Sequence, residues 1–178
     1  VLELRRPAMQ KNVAGFAPVR DMIDWFVGSE GTLGVVLAAE FRLLPLPETV
    51  LGLGIPFPSA EDALAFVVAA REARDAGSAL QPRCLEYLDA SAFAIARDHA
   101  RATLGGAWAE GARAYVYTEQ EGFAGEDPPL DDWLALAERH RALADDIQVF
   151  EGEPGLKEAR RIRHAVPATL NERAARYR

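Results

Sequence analysis

Leu51-Gly52-Leu53-Gly54-Ile55-Pro56-Phe57-Pro58-Ser59-Ala60-Glu61-Asp62 is the stretch on which the fold turns. As far as Phe57 it reads as a strand. Ser59 then caps a helix, with Asp62 three residues on; the helix carries Leu64, Val67, Val68 and Ala70 and stops at Gly77. The alternation continues downstream. Arg83 to Leu88 reads as a second strand, Ala90 to Ala102 as a helix ended by Gly105-Gly106, and Ala112 to Thr118 as a third strand. A polar loop from Gly122 to Pro129 leads to a helix over Asp131 to Ala144 and a strand over Ile147 to Phe150. Pro154 opens a last helix at its favoured first position. Two strand-helix-strand units with antiparallel completion predict a ferredoxin-like α+β sandwich, an antiparallel sheet with helices packed on it and the helix near Ala90 as an insertion.

Upstream, Leu44-Pro45-Leu46-Pro47-Glu48 interrupts the chain, because neither proline can donate to a ladder and each disfavours helix in its predecessor. A domain boundary is expected there, giving segments 1–48 and 49–178. From Val35 to Leu43 the odd positions are Val, Leu, Ala, Phe and Leu and the even ones Val, Ala, Glu and Arg, the pattern of a half-buried strand. Gly28, Gly31 and Gly34 precede it at steps of three. Glycine tolerates positive φ and lets a ligand lie against the main chain, so this stretch is either a tight turn or a seat for an anion or heterocycle. No Walker lysine follows, and the order is the reverse of a Rossmann fingerprint, which opens a helix and not a strand.

The formal charge of −7 argues against a general affinity for nucleic acid or anionic lipid, both of which reward clustered Lys and Arg. Between Pro154 and Arg178, however, seven basic residues (Lys157, Arg160, Arg161, Arg163, Arg173, Arg176, Arg178) face only Glu158 and Glu172. That end is either a solvated helix face or the frame of a small-anion site. A single cysteine, Cys84, excludes an internal disulfide framework and a cysteine-based zinc site, and fits a reducing, cytoplasmic setting. No apolar 18-mer suggests a membrane span. The chain starts within a strand-like run, Val1 to Leu4, and stops within a helix-like one, Ala174 to Arg178, as expected of a segment of a longer protein.

Phe26-Val27-Gly28-Ser29-Glu30-Gly31-Thr32-Leu33-Gly34-Val35-Val36, with Lys11-Asn12-Val13-Ala14-Gly15-Phe16 before it and Leu43-Leu44-Pro45-Leu46-Pro47 after it, resembles the FAD-linked oxidases of the vanillyl-alcohol-oxidase type. Within that fold it is similar to the branch of D-lactate dehydrogenases, the glycolate oxidase flavin subunit, D-2-hydroxyglutarate dehydrogenase and alkyl-dihydroxyacetonephosphate synthase. The resemblance implies FAD as cofactor, held against Gly28, Ser29, Glu30, Gly31, Thr32, Leu33, Gly34, Val35 and Val36 in the C-terminal part of an FAD-binding domain. It implies that 49–178 is most of a ferredoxin-like cap covering the flavin ring. Many members carry tyrosine where Phe16 stands, so a contact needing a phenol hydroxyl is not carried over. Members also have an N-terminal pyrophosphate loop and a later histidine-rich motif that these residues do not contain. The 178 residues alone are therefore expected to fold at least in part without turning over substrate.

Ile162-Arg163-His164-Ala165-Val166-Pro167-Ala168-Thr169-Leu170-Asn171-Glu172 resembles the family stretch whose arginine binds the substrate carboxylate, and Arg163 occupies that place. Helical phase singles out the same residue: it shares a stripe with Leu156, Ala159, Val166 and Leu170, which Arg160 and Arg161 do not. A guanidinium directed at a core must meet an anion, either a substrate carboxylate bound bidentately or an internal Asp or Glu. His99, His140 and His164 have no ligand spacing and read as surface or helix-face residues. Glu86 reads as solvated, Tyr115 and Tyr117 as a pair on one strand face, Cys84 as no nucleophile, and Trp133, Leu136, Ala137 and His140 as a core-facing stripe. The expected activity is oxidation of a small 2-hydroxy acid by hydride transfer to FAD, with an unidentified electron acceptor and a homodimer left open. Two other readings remain: a ferredoxin-like binding module without redox chemistry, and a flavin enzyme of the ether-lipid synthase type without net oxidation.

Overall fold

The computed structural model describes residues 22–104 and 109–176. The chain divides into two compact units, Val1–Pro45 and Leu46–Arg178. Val1 to Leu4, the Lys11 to Phe16 motif and Gly105-Gly106 lie outside the described residues.

In the first unit a short helix, α1 (Met22–Phe26), ends in a turn at Val27 and Gly28, and a segment without regular secondary structure runs on from Gly34. The half-buried strand expected over Val35 to Leu43 is not found. No described residue joins it in a ladder, and its odd positions stand open, with Val35, Leu37, Phe41 and Leu43 all at least three-quarters exposed. Alternation makes a segment competent for a sheet, but a neighbouring strand must still take up its N–H and C=O groups.

The second unit has the ferredoxin-like α+β topology. Strands β1 (Thr49–Phe57), β2 (Pro82–Leu88), β3 (Ala114–Gly122) and β4 (Gln148–Glu151) form one antiparallel sheet in the order β2-β3-β1-β4. Helix α2 (Ala60–Asp75) connects β1 to β2, and α4 (Leu130–Arg139) leads through a 3-10 turn to β4. Helix α3 (Ala90–Leu104) is inserted between β2 and β3, and α5 (Gly152–Ala175) follows β4. The local reasons are visible at the ends of α2. The Asp62 amide donates to Ser59 Oγ at 3.1 Å, and the Ser59 hydroxyl donates to Asp62 Oδ2 at 2.7 Å. At the other end Gly77 takes φ +72°, which lets Ser78 N–H reach the Ala73 carbonyl at 3.0 Å.

Two apolar layers sandwich the sheet. Leu51, Leu53, Ile55 and Phe57 of β1 and Ala114 and Val116 of β3 face Ala63, Phe66 and Ala70 of α2 and Trp133, Leu136 and Ala137 of α4. On the opposite face Tyr115 and Tyr117 of β3 meet Phe93 of α3 and Leu156, Ala159 and Ile162 of α5. The alternating glycines of β1 make that second layer possible. A Cβ on Gly54 would fall on the Tyr115 hydroxyl and 2.7 Å from its ring carbon Cζ, and one on Gly52 would come within 3.0 Å of the Tyr117 hydroxyl. The tyrosines lie across a strand face emptied of side chains.

Three helix details differ from expectation. In α2, Leu64 and Val68 are about half exposed, because Phe66, 5.3 Å from the Phe57 ring and 6.1 Å from Trp133 between centroids, turns its own face inward. In α5, which starts at Gly152 and not at Pro154, the buried stripe is Leu156, Ala159, Ile162 and Ala165; Leu170 is exposed because the helix has passed the edge of the layer. Helix α4 ends at Arg139, not Ala144, since Arg141 turns to φ +63°.

Candidate functional site

The pairing of β2 with β3 places Glu86 opposite Tyr117 and Cys84 opposite Glu119, all on the face that α5 covers. Arg163 descends from α5 onto this face. Its Nε donates to Glu86 Oε2 at 2.7 Å and its Nη2 to Glu86 Oε1, a bidentate ion pair. Its Nη1 lies 3.7 Å from Glu119 Oε1, and its guanidinium carbon sits 4.6 Å from the centre of the Tyr117 ring. Arg163 is thus half-buried and multiply held. Glu86, read from sequence as solvated, is partly exposed but carries this pair.

Glu119 is the anchor of the group. It is almost fully buried and accepts from the Tyr117 hydroxyl at 2.6 Å and from Arg83 Nε at 2.7 Å. Arg83 reaches it through an irregularity of the β2–β3 ladder between Pro82 and Cys84, which re-aims the side chain from the face that strict alternation would give it. Its Nη1 also donates to Glu121 at 3.0 Å. Burial works to raise the Glu119 carboxyl, but the hydrogen bonds from Tyr117 and Arg83 and the charges of Arg83 and Arg163 outweigh it and hold it below the ordinary glutamate range. Burial, then the bond to Glu119, pushes the Tyr117 phenol far up. Burial, with the Glu119 charge behind it, pushes the Cys84 thiol up to about 11, so the cysteine is not poised as a nucleophile. Burial opposes the Arg163 charge, yet the bonds to Glu86 keep its pKa above the ordinary arginine value.

Beside Arg163 and Glu86 lies a hollow of about 480 Å³ whose apolar wall comes from Leu88, Ala92, Val166 and Pro167. Pro167 sits inside α5 without breaking it, and it has no N–H to donate to the Arg163 carbonyl one turn back. A larger hollow of about 600 Å³ lies elsewhere on the unit, but its charged lining is Glu48, Asp127, Glu151 and Glu153 with only Arg160 against them. Carboxylate excess makes it a poor place for an anion. The smaller hollow has an apolar wall and a guanidinium at its edge, but that guanidinium already meets an internal carboxylate, Glu86, so an acid could bind there only by taking the place of Glu86.

In the first unit, Gly28 and Gly31 take φ +81° and +80°, and Glu30 between them takes +50°. Thr32 closes the turn, its amide donating to the Ser29 carbonyl at 2.9 Å and its hydroxyl to the same oxygen at 2.6 Å. Ser29 is buried, while Glu30, Gly31, Thr32, Leu33, Gly34, Val35 and Val36 are exposed. The glycines therefore answer first to backbone conformation: among the described residues, apart from its chain neighbours, no atom lies within 4 Å of where a Gly31 Cβ would stand. What this leaves is bare main chain flanked by exposed Leu33, Val35 and Val36.

Other residues named from sequence are placed as follows. Tyr115 and Tyr117 share one face, but Tyr115 stacks on Phe93 at 4.9 Å and Tyr117 packs against Phe150 and Arg163. Trp133, Leu136 and Ala137 are core, and His140 meets Phe66 edge-on. His164 borders the smaller hollow. Sequence reasoning missed Arg83 and Glu119. The available signal was the continuation of the Tyr115-Tyr117 face to position 119, where a carboxylate on a buried face demands partners. Among the described residues no group of three or more His, Cys, Asp and Glu side chains gathers as a metal site, and no helix is long and apolar enough to cross a membrane.

No family model matches the chain. It is 31% identical over 158 residues to glycolate oxidase subunit GlcD of Bacillus subtilis, an alignment covering 86% of this chain and 30% of that protein. It is 35% identical over 85 residues to a D-lactate dehydrogenase of Archaeoglobus fulgidus, covering 48% of this chain and 17% of the relative. A D-lactate dehydrogenase of Anaerostipes hadrus is 37% identical over 46 residues, 26% of this chain and 10% of that one. The chain spans less than a third of the length of these curated relatives.

Proposed function

We propose, from the premise that the chain belongs to the FAD-linked oxidase family, that it serves an enzyme oxidising a small 2-hydroxy acid of the glycolate or D-lactate type. In this reading 1–48 is the end of an FAD-binding domain and 49–178 is a substrate-binding cap. Residues 28–36 fit a planar cofactor, since exposed main chain at Gly31 and the flanking Leu33, Val35 and Val36 offer an open surface for a heterocycle to cover. FAD, when bound, supplies the hydride acceptor.

The chain's own residues bind and orient. Arg163 grips the substrate carboxylate through its two-pronged edge, and the wall of Leu88, Ala92, Val166 and Pro167 receives the carbon end. Glu119 and the Tyr117 ring hold the guanidinium in place. The observation that carries the reading is that Arg163, at the edge of an apolar hollow, already holds a carboxylate in bidentate fashion, with Glu86 standing where a ligand would. Mixing the flavin-loaded protein, extended in both directions to the length of its relatives, with D-lactate or glycolate under anaerobic conditions tests it: the oxidised flavin absorbance is expected to bleach, and a flavin that stays oxidised with both acids refutes it.

A further inference from the structure

Arg163 has two carboxylate neighbours, and they are held very differently. Glu119 is nearly fully buried and is tied by Tyr117 and Arg83 before Arg163 is counted, so it cannot leave without stranding two donors. The Glu86 side chain is 40% exposed, opens on the hollow, and is held by its ion pair with Arg163. The geometries differ too. Glu119 lies 3.7 Å from Nη1, a charge contact on one prong, whereas Glu86 occupies the Nε and Nη2 edge that a planar carboxylate prefers.

We propose that Glu86 is a built-in competitor for the substrate carboxylate, which must displace it from the Nε and Nη2 edge of Arg163 while Glu119 and the Tyr117 ring keep the guanidinium where it is. The inference rests on the reading of Arg163 as the carboxylate-binding residue. On displacement the pair Arg163–Glu86 becomes Arg163–substrate, and Glu86 swings into the water of the open hollow. No bond is made or broken, and the arginine is never left unpaired. With no acid present, Glu86 keeps a half-buried guanidinium neutralised; with acid present, it sets the concentration needed to bind.

The test is a D-lactate titration of the nitrogen-15-labelled chain, following the Arg163 Nε–H signal, assigned by its disappearance in Arg163→Lys. Glu86→Gln removes the competitor's charge and keeps its shape. Glu121→Gln removes a carboxylate of the same cluster that pairs with Arg83, and so measures the general electrostatic gain. The expected result is half-saturation at about fivefold lower D-lactate in Glu86→Gln, against less than about twofold change in Glu121→Gln. Equal gains in the two variants, or none in Glu86→Gln, overturn the competitor role while leaving the Arg163 reading intact. A signal that neither D-lactate nor, in a parallel titration, glycolate moves in any form overturns both.

Discussion

Glu119→Gln is the substitution that most exposes how the site is built. The carboxylate accepts from Tyr117 at 2.6 Å and from Arg83 Nε at 2.7 Å, and faces Arg163 Nη1 at 3.7 Å. An amide keeps the volume but offers one acceptor where there were two, so its NH₂ must point at either Arg83 or the Tyr117 hydroxyl. Each charge-assisted bond contributes about 1.5 to 3 kcal/mol, and the partial exposure of Arg83 favours the lower end. Losing the Arg83 attraction, weakening the Tyr117 bond and removing the Coulomb contact to Arg163 together cost about 3 kcal/mol, or about 10 °C in Tm for a unit of this size.

The cost depends on pH in a defined sense. Glu119 is more acidic folded than unfolded, so its contribution is complete above the ordinary glutamate range and is lost as pH falls through that range toward the folded value. Urea denaturation of wild type and variant, followed by circular dichroism, should therefore show a full gap at neutral pH that narrows on the acid side. A gap under about 1 kcal/mol at pH 7, or one that stays constant into acid, would refute the reasoning.

Two further outcomes check other parts of the account. Gly54→Ala drives a Cβ into the stacked, fully buried Tyr115 and should cost about 2 to 3 kcal/mol in urea denaturation, whereas Gly125→Ala, equally a glycine but with nothing within 4 Å, should cost about 1 kcal/mol from its φ of +78° alone. Cys84, its thiol pushed up to about 11, should be alkylated at pH 8 about 100-fold more slowly in the folded chain than in urea, as thiol-quench kinetics would show.

The order of elements was legible because each strand and helix of the second unit carries its own period, and Ser59, Gly77 and the prolines punctuate them. What depends on pairing was not. Glu119 lay beyond the third strand as read, which ended at Thr118, while the ladder runs on to Gly122 and carries Glu119 into the buried face. Glu86 was read as solvated, but whether its strand face meets water or a helix is decided by α5, which is 77 positions further along the chain at Arg163. The ladder irregularity at Arg83 has no signature in a single sequence. At Val35 to Leu43 the converse holds: the alternation is present and the described residues supply no strand to receive it.

The most direct measurement of the central claim is the dissociation constant of D-lactate for flavin-loaded wild type and Arg163→Lys. Lysine retains the charge but not the two-pronged edge that Arg163 turns to a carboxylate. If that edge binds the acid, affinity falls about 30-fold while the flavin content is unchanged. Affinity within about twofold of wild type would contradict the account.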